Sequence, residues 1–447
     1  SPLHLAARAG AIQTTEYLLS KGSDLDLRES YSGGTPLHGA CAEGREGVVA
    51  LMLKADRLKD LSKVNFFGDT PLMLAAKAGH AATCKLLLMD RSRKQLFFML
   101  GMANEGGETP FHAVSRKGNM DILTLLLDSM NGRNGFPQGN KLSKIKQLQL
   151  LDKKTVEDGR TAFHEAAWQG HSSITSMLAK LGCNVSQTDF GGRTILHLGA
   201  ERGHHKMLVP LLVPGPGSLL GILNDRDNGG STALHKAAIF GKEHACRVLV
   251  QAGAKLDIIN NDGRTALYHA VLCNRVSTAA FLIDKKANVN LQTPDGNTVM
   301  HKCAYSGDVG TLLKLIAAGA PLNNKNRAGQ TPLDIATERR RKHVRNILTD
   351  LVSRNAPSPP PREMTEEYFK TLSPPGSPRT FRLSPPSSPS DRRRPARSRF
   401  NDEVEQQAEE ELDANKVGAN VRIMQRKTSR GRSPSPSRFP VEDHVFI

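Results

Sequence analysis

The residues best suited to chemistry in this chain are its histidines, and seven of them share one setting. His4, His38, His112, His164, His197, His235 and His301 each stand fourth in a phrase such as TPLHGAC or TALHKAA. An imidazole titrates near neutrality and serves as a general base or a metal ligand. Either use needs partners converging on one point. Here each histidine is at least 33 residues from the next, which gives a row and not a cluster. The six cysteines, at 41, 84, 183, 246, 273 and 303, form no CxxC and no Cys/His metal spacing. Cys41 and Cys303 fall in the small-residue slot of the phrase, and all six read as reduced structural thiols of an intracellular compartment. No GxxxxGK[ST] or GxGxxG loop is present to hold phosphates. The expectation is a chain that is not an enzyme, with no catalytic residue, no cofactor and no metal.

What positions these histidines is a repeated element. The phrase occurs ten times, beginning at residues 1, 35, 70, 109, 161, 194, 232, 265, 298 and 331. Four of the intervals are 33 residues, and the others are stretched to between 34 and 52. Local physics explains the wording. Thr232 can cap a helix by accepting from the orphan N–H groups of its first turn. Several copies place Pro next, at a helical position where its missing N–H costs nothing. Leu and the paired alanines recur on one helical face, and the small alanines let a second helix approach. Gly241 ends the first helix, HACRVLVQAG forms the second, and Asn261-Asp262-Gly263 makes a tight turn. One unit has too little core to stand alone, so stacked copies must bury each other's faces.

The phrase, its turn and its period resemble the ankyrin repeat, over residues 1–352. The resemblance implies an all-α solenoid of stacked helix-turn-helix units with short β-turn fingers. It also implies that the fourth-slot imidazole ties neighbouring loops together. Met73, Tyr268 and Asp334 replace that histidine, the last in a highly charged final copy suited to a terminal cap. Segment 129–158 is an insert, read as a loop or as carrying a short helix around Lys144–Leu151. The Pro214-Gly215-Pro216-Gly217 run breaks any regular element in a second insert.

In this family the finger tips and the outer side of each first helix line a concave groove. The corresponding slots are seven and eight residues after the phrase Thr and the residue just before it. They hold Trp168, Ile239, Phe240, Leu272 and Tyr305, with Arg160, Arg193 and Arg264 before the Thr. The single tryptophan is therefore expected to face outward, in an apolar strip rimmed by cations. Such a strip suits a polypeptide with apolar anchors and acidic flanks. The alternatives are that an insert or the tail covers the strip, or that these residues fold inward. Lys77, Arg116 and Lys117 read as a separate basic patch. Asn290, in LIDKKANVN, resembles sites taken by the asparaginyl hydroxylase that acts on ankyrin repeats; its plain reading is a finger-tip Asn in a turn.

From 353 to 447 the chain turns rich in Ser, Pro and Arg, a composition expected to stay disordered, with a transient helix at 402–416. Pro357, Pro360 and Arg362 match a PxxPxR ligand of SH3 domains. Ser358, Ser373, Ser377, Ser384, Ser388, Ser433 and Ser435 precede Pro as proline-directed phosphorylation sites, and Ser429 resembles a basophilic kinase site. Val445 and Ile447 at the end resemble a class II PDZ ligand. The basic run 391–399 offers a route into the nucleus from a cytoplasmic location.

The formal charge of +17 raises the question of nucleic acid, although the cations form no single long run. No run of apolar residues is long enough to insert into a membrane. The reading is a non-enzymatic scaffold or adaptor, holding one protein partner in the groove and others through the tail. Two alternatives stay open. One is a regulatory or sensor region of a larger signalling protein, similar to the ankyrin regions of transient receptor potential ankyrin channels or to the end of the Notch ankyrin domain. The other is a basic regulator associated with nucleic acid.

Overall fold

The structure is a computed structural model that describes residues 1–353 apart from 56–60, 90 and 138–140. The tail assignments, from Pro357 to Ile447 and including the 402–416 helix, lie outside the described residues. Each phrase starts a helix and is followed by a second one. The ten pairs are α1 (Pro2–Ala9) with α2 (Ile12–Ser20), α3 (Pro36–Ala42) with α4 (Glu46–Lys54), and α5 (Pro71–Ala78) with α6 (Ala81–Leu88). After an added α7 (Arg93–Gly101) come α8 (Pro110–Lys117) with α9 (Met120–Asn131), then an added α10 (Lys144–Leu151). The series continues with α11 (Ala162–Gln169) and α12 (Ser172–Lys180), α13 (Ile195–Arg202) and α14 (His205–Leu211), and α15 (Ala233–Ile239) and α16 (Glu243–Gln251). It ends with α17 (Ala266–Leu272) and α18 (Val276–Asp284), α19 (Val299–Ser306) and α20 (Val309–Ala317), and α21 (Pro332–Glu338) and α22 (Lys342–Ser353). Among the described residues there is no strand.

First helices pack on first helices and second on second, each on its neighbours in the series. The core is correspondingly one continuous chain of side chains, from Leu3 through Phe111 and Ala166 to Leu348. The fingers stack too. In each, a Gly such as Gly159 or Gly192 takes a positive φ, 68° and 73° here, which L side chains resist. One backbone hydrogen bond crosses most finger interfaces: the Phe66 N–H donates to Ser32 O at 2.8 Å, and the Phe190 N–H donates to Asp158 O at 2.8 Å.

Two rows of side chains fasten repeat to repeat. The fourth-slot histidine makes the first. His38 accepts the Thr35 backbone N–H on Nδ1 at 3.1 Å and donates from Nε2 to Asp69 O of the next repeat at 3.1 Å. His112, His197, His235 and His301 reach Arg160 O, Ser231 O, Arg264 O and Gln330 O in the same way. This geometry requires the neutral ring. Burial pushes His38, His164 and His235 down to about 4. The second row was not foreseen. At six interfaces the residue ten places after the phrase start donates back to the carbonyl seven places into the previous phrase. Arg45 Nε thus reaches Arg8 O at 2.8 Å, His80 reaches Ala42 O at 3.1 Å, His171 reaches Arg116 O at 3.1 Å, and His204 reaches Trp168 O at 3.0 Å. Arg275 and Arg341 do the same to Ile239 O and Tyr305 O, each at 3.1 Å.

The inserts add two helices. Within the 129–158 segment, α10 is capped by Ser143, whose hydroxyl accepts the Lys146 N–H. It lies against α7, with the Lys146 ammonium 5.4 Å from the centre of the Phe97 ring. The sequence reading missed α7 altogether.

Candidate functional site

The first helices and the finger ends make one continuous face, and the groove residues lie along it. Trp168, at the end of α11, is half-buried and belongs neither to the core nor to the openly exposed apolar residues. Its ring is covered by guanidinium groups. Arg202 stands 3.8 Å from the ring centre, Arg160 4.5 Å and Arg193 6.0 Å. Such stacking is favourable because the π face is electron-rich, and it strengthens as the pair is desolvated. Arg202, eight places into the next phrase, was not among the expected residues.

Arg160 departs from the expectation of a rim cation, since it is 9% exposed. A buried guanidinium needs counter-charge, and Glu165, itself buried, lies 3.7 Å away, with Asp158 at 3.5 Å. Arg193 is held by Asp189 at 2.9 Å and Glu201 at 3.4 Å. Ile239 and Phe240 are half-buried at the end of α15. Leu272 is partly buried against the core, because α17 brings its last turn onto the neighbouring helices. Tyr305 is exposed, with Lys302 4.2 Å and Arg339 4.3 Å from its ring centre. Arg264 lies 3.5 Å from Asp262 and 5.9 Å from the Tyr268 ring centre. Asn290 is exposed in the turn after α18, its N–H donating to Asn288 Oδ1 at 2.9 Å.

The basic patch read at Lys77 and Arg116 is instead a chain of ion pairs. Lys77 meets Asp69 at 2.7 Å and Glu108 at 3.4 Å, while Arg116 bridges Glu108 at 2.5 Å and Glu165 at 3.0 Å. Burial alone would raise the Glu108 carboxyl, but Arg116 and Lys77 hold it below the usual carboxylate range. The reason for the difference is stacking: residue 116 sits beside residue 165 only because the two repeats are neighbours. Lys236 is likewise paired with Asp227 at 2.7 Å.

Sequence reasoning also missed the finger tips. Tyr31, Phe66, Phe67, Val156 and Phe190 are all exposed there. For Phe66, Phe67 and Phe190 the available signal was an apolar residue inside an Asn/Asp-x-x-Gly turn, where other copies carry Asn228 or Asn261. Phe66 and Phe190 lie flat over Gly33 and Gly159 of the preceding fingers, where a Cβ would come within 2.4 and 2.5 Å of the ring.

Among the described residues no three His, Cys, Asp or Glu side chains gather as metal ligands. Cys41, Cys84, Cys183, Cys246 and Cys303 are buried, and burial pushes the Cys84, Cys183 and Cys246 thiols up to about 12, which disfavours the nucleophilic thiolate. No described helix is long and apolar enough to cross a membrane.

Comparison with known proteins gives a consistent family. The chain is similar to a probable E3 ubiquitin-protein ligase, XBOS33, of Oryza sativa subsp. japonica, with 31% identity over 206 residues, 44% of this chain and 34% of that one. It is similar to a transient receptor potential cation channel subfamily A member 1 homolog of Caenorhabditis elegans, with 24% identity over 204 residues, 46% of this chain and 14% of the channel. The chain thus spans about a third or less of the length of these relatives. Among solved structures, the ankyrin repeat domain of Bcl-3, a member of the IkappaB family, matches with 30% identity and a TM-score of 0.46, over 55% of this chain and 100% of that domain. The family model for ankyrin repeats in three copies matches residues 1–61, 55–138, 94–189, 137–218 and 196–293, and the model for many copies matches residues 274–316. Ankyrin repeats are a protein-interaction fold, and on these matches, together with the paired helices and the stacked fingers, the chain belongs to the ankyrin-repeat family.

Proposed function

We propose that this chain is a non-enzymatic adaptor that grips a partner polypeptide across the face centred on Trp168. The observation that carries the reading is the stack of Arg160, Trp168 and Arg202. It joins the residue types that dominate interface energetics at one half-buried place on a rigid array. A bound segment would set apolar groups against Trp168 and acidic groups against Arg202. The tail would recruit further partners: an SH3 domain through Pro357, Pro360 and Arg362, and a PDZ domain through Val445 and Ile447. Phosphorylation at Ser373, Ser377, Ser384, Ser388, Ser429, Ser433 or Ser435 would offset local positive charge. Joining a groove contact to a tail contact raises apparent affinity through effective concentration. The work site is the cytoplasm, with the 391–399 run giving access to the nucleus.

Affinity capture with the full chain, Trp168→Ala and a chain lacking the last three residues tests this. The expected result is a set of partners lost with Trp168→Ala and a different set lost with the truncation. Identical partners in all three would remove the reading. A second reading, an ankyrin region regulating or sensing within a signalling protein, is favoured by the similarity to the nematode channel. It predicts that the partner lost with Trp168→Ala is another part of the same protein.

A further inference from the structure

Along much of the face each cation has its own carboxylate; Arg202 stacks on Trp168 without one, and between α19 and α21 two cations together lack one. Lys77, Arg116, Arg193 and Lys236 each lie 2.5–3.0 Å from an acid. Lys302 on α19 and Arg339 after α21 converge on the Tyr305 ring, and among the described residues neither has a carboxylate within ion-pair distance. Glu338 is nearby, but its carboxylate accepts from the Gln330 amide at 2.8 Å. The same residues line a cavity of about 270 Å³, completed by Tyr268, Asn297 and Asn326. Burial, together with Arg264 and Arg339, pushes the Lys302 ammonium below its usual range, and no carboxylate offsets that shift.

We propose that this cavity between α19 and α21 is a binding site for a carboxylate side chain, an Asp or Glu of the partner polypeptide. Two unpaired cations above a tyrosine ring create a local positive potential in a concave, partly desolvated place, where charge-assisted hydrogen bonds are strongest. The Arg339 fork matches the two oxygens of a carboxylate, and Lys302 adds a point charge. The volume suits one side chain and not a drug-sized ligand. Phosphate fits less well. Phosphate sites draw on backbone N–H groups in nests, and those of the adjoining finger are occupied: Arg327 N–H donates to Asp295 O, Gly329 N–H to Asn326 O and Gln330 N–H to Asn326 Oδ1.

This deepens the adaptor reading and rests on it for the identity of the occupant, yet it can be tested separately. The full chain, with lysines reductively methylated by a carbon-13 label, is titrated at constant ionic strength with N-acetyl-glutamate amide, N-acetyl-glutamine amide and inorganic phosphate. The Lys302 resonance is identified by its loss in Lys302→Gln. A saturable shift of that resonance with the glutamate probe alone is expected, weakened at least tenfold in Arg339→Gln. Arg339 is exposed and Lys302 half-buried, and unchanged circular dichroism shows that the variants fold. A linear drift equal to that of Lys85, insensitivity to Arg339→Gln, a response to the glutamine probe, or tighter saturation by phosphate would each overturn the proposal. If Lys302 saturates while partner capture ignores Trp168→Ala, the cavity stands and the adaptor reading falls. If capture needs Trp168 and Lys302 does not saturate, the reverse holds.

Discussion

Mild acid should loosen the array, through its buried imidazoles. His38, His164, His235 and His269 are each held near 4 in the fold, against an ordinary 6.5, with burial as the leading cause. The folded ring binds fewer protons than the unfolded one, so stability rises with pH. It is fully present above about 6.5 and is lost as pH falls from there through 4. Between pH 7.5 and 5.5 each ring costs the fold about 1.3 kcal/mol, and the four together roughly 5 kcal/mol. For an array of this size that corresponds to a fall in Tm of roughly 7 °C. Among the shifted carboxyls only Asp152, raised by burial, moves toward this window. Glu108 and Asp227 are held below the carboxylate range, against burial that would raise them, by Arg116 and Lys236, and they titrate at lower pH. Thermal melts followed by circular dichroism at pH 7.5 and 5.5 measure the effect, with His235→Gln as the comparison. That variant should lose stability at both values but show about a quarter less dependence on pH. A Tm that does not fall at pH 5.5, or a dependence untouched by His235→Gln, would refute the neutral-ring argument.

Other outcomes follow from single contacts. Glu165→Gln keeps the shape but leaves the buried Arg160 with only the exposed Asp158, and should cost about 2 kcal/mol by chemical denaturation. Gly159→Ala and Gly182→Ala both force a positive φ on alanine, but only the first drives a Cβ into a neighbour, the Phe190 ring. Gly159→Ala should therefore be the more destabilising by about 1 kcal/mol, and equal Tm values would contradict the stacked-finger packing. Asn290, exposed beyond α18, should gain one oxygen atom on incubation with an asparaginyl hydroxylase; mass spectrometry that finds Asn288 altered in its place would reassign the site.

What could be read from the sequence was whatever repeats within one unit. Thr232 and His235 occupy fixed slots, so the cap and the tie to the next loop were visible before any coordinates. The contacts between units were harder. Arg116 and Glu165 are 49 residues apart across a stretched interval, and only the stacking register shows that they touch. For the same reason Arg202, which covers Trp168, went unnoticed. Arg160 was read as a rim cation because a slot in a pattern carries no information about depth. The α7 helix did leave a trace: Ser92 and Gln95 form a capping box, with the Gln95 side chain accepting the Ser92 N–H at 2.9 Å. That trace was absorbed into the stretched interval between residues 70 and 109, whose added length was read as loop.

The backward clasp from the tenth place of one phrase to the seventh of the one before has a consequence for how such a chain can change. Its acceptor is a main-chain oxygen, available whatever residue occupies that position, as Arg8, Ala42, Arg116, Trp168, Ile239 and Tyr305 illustrate. A copy that carries the donor can therefore engage any predecessor. Excising a whole 33-residue unit, for instance 232–264, would bring Arg275 to the carbonyl of Glu201 and leave the new neighbours able to latch. The seam is generic and the surface is individual, so the array can be lengthened, shortened or reshuffled while each segment keeps its own binding character.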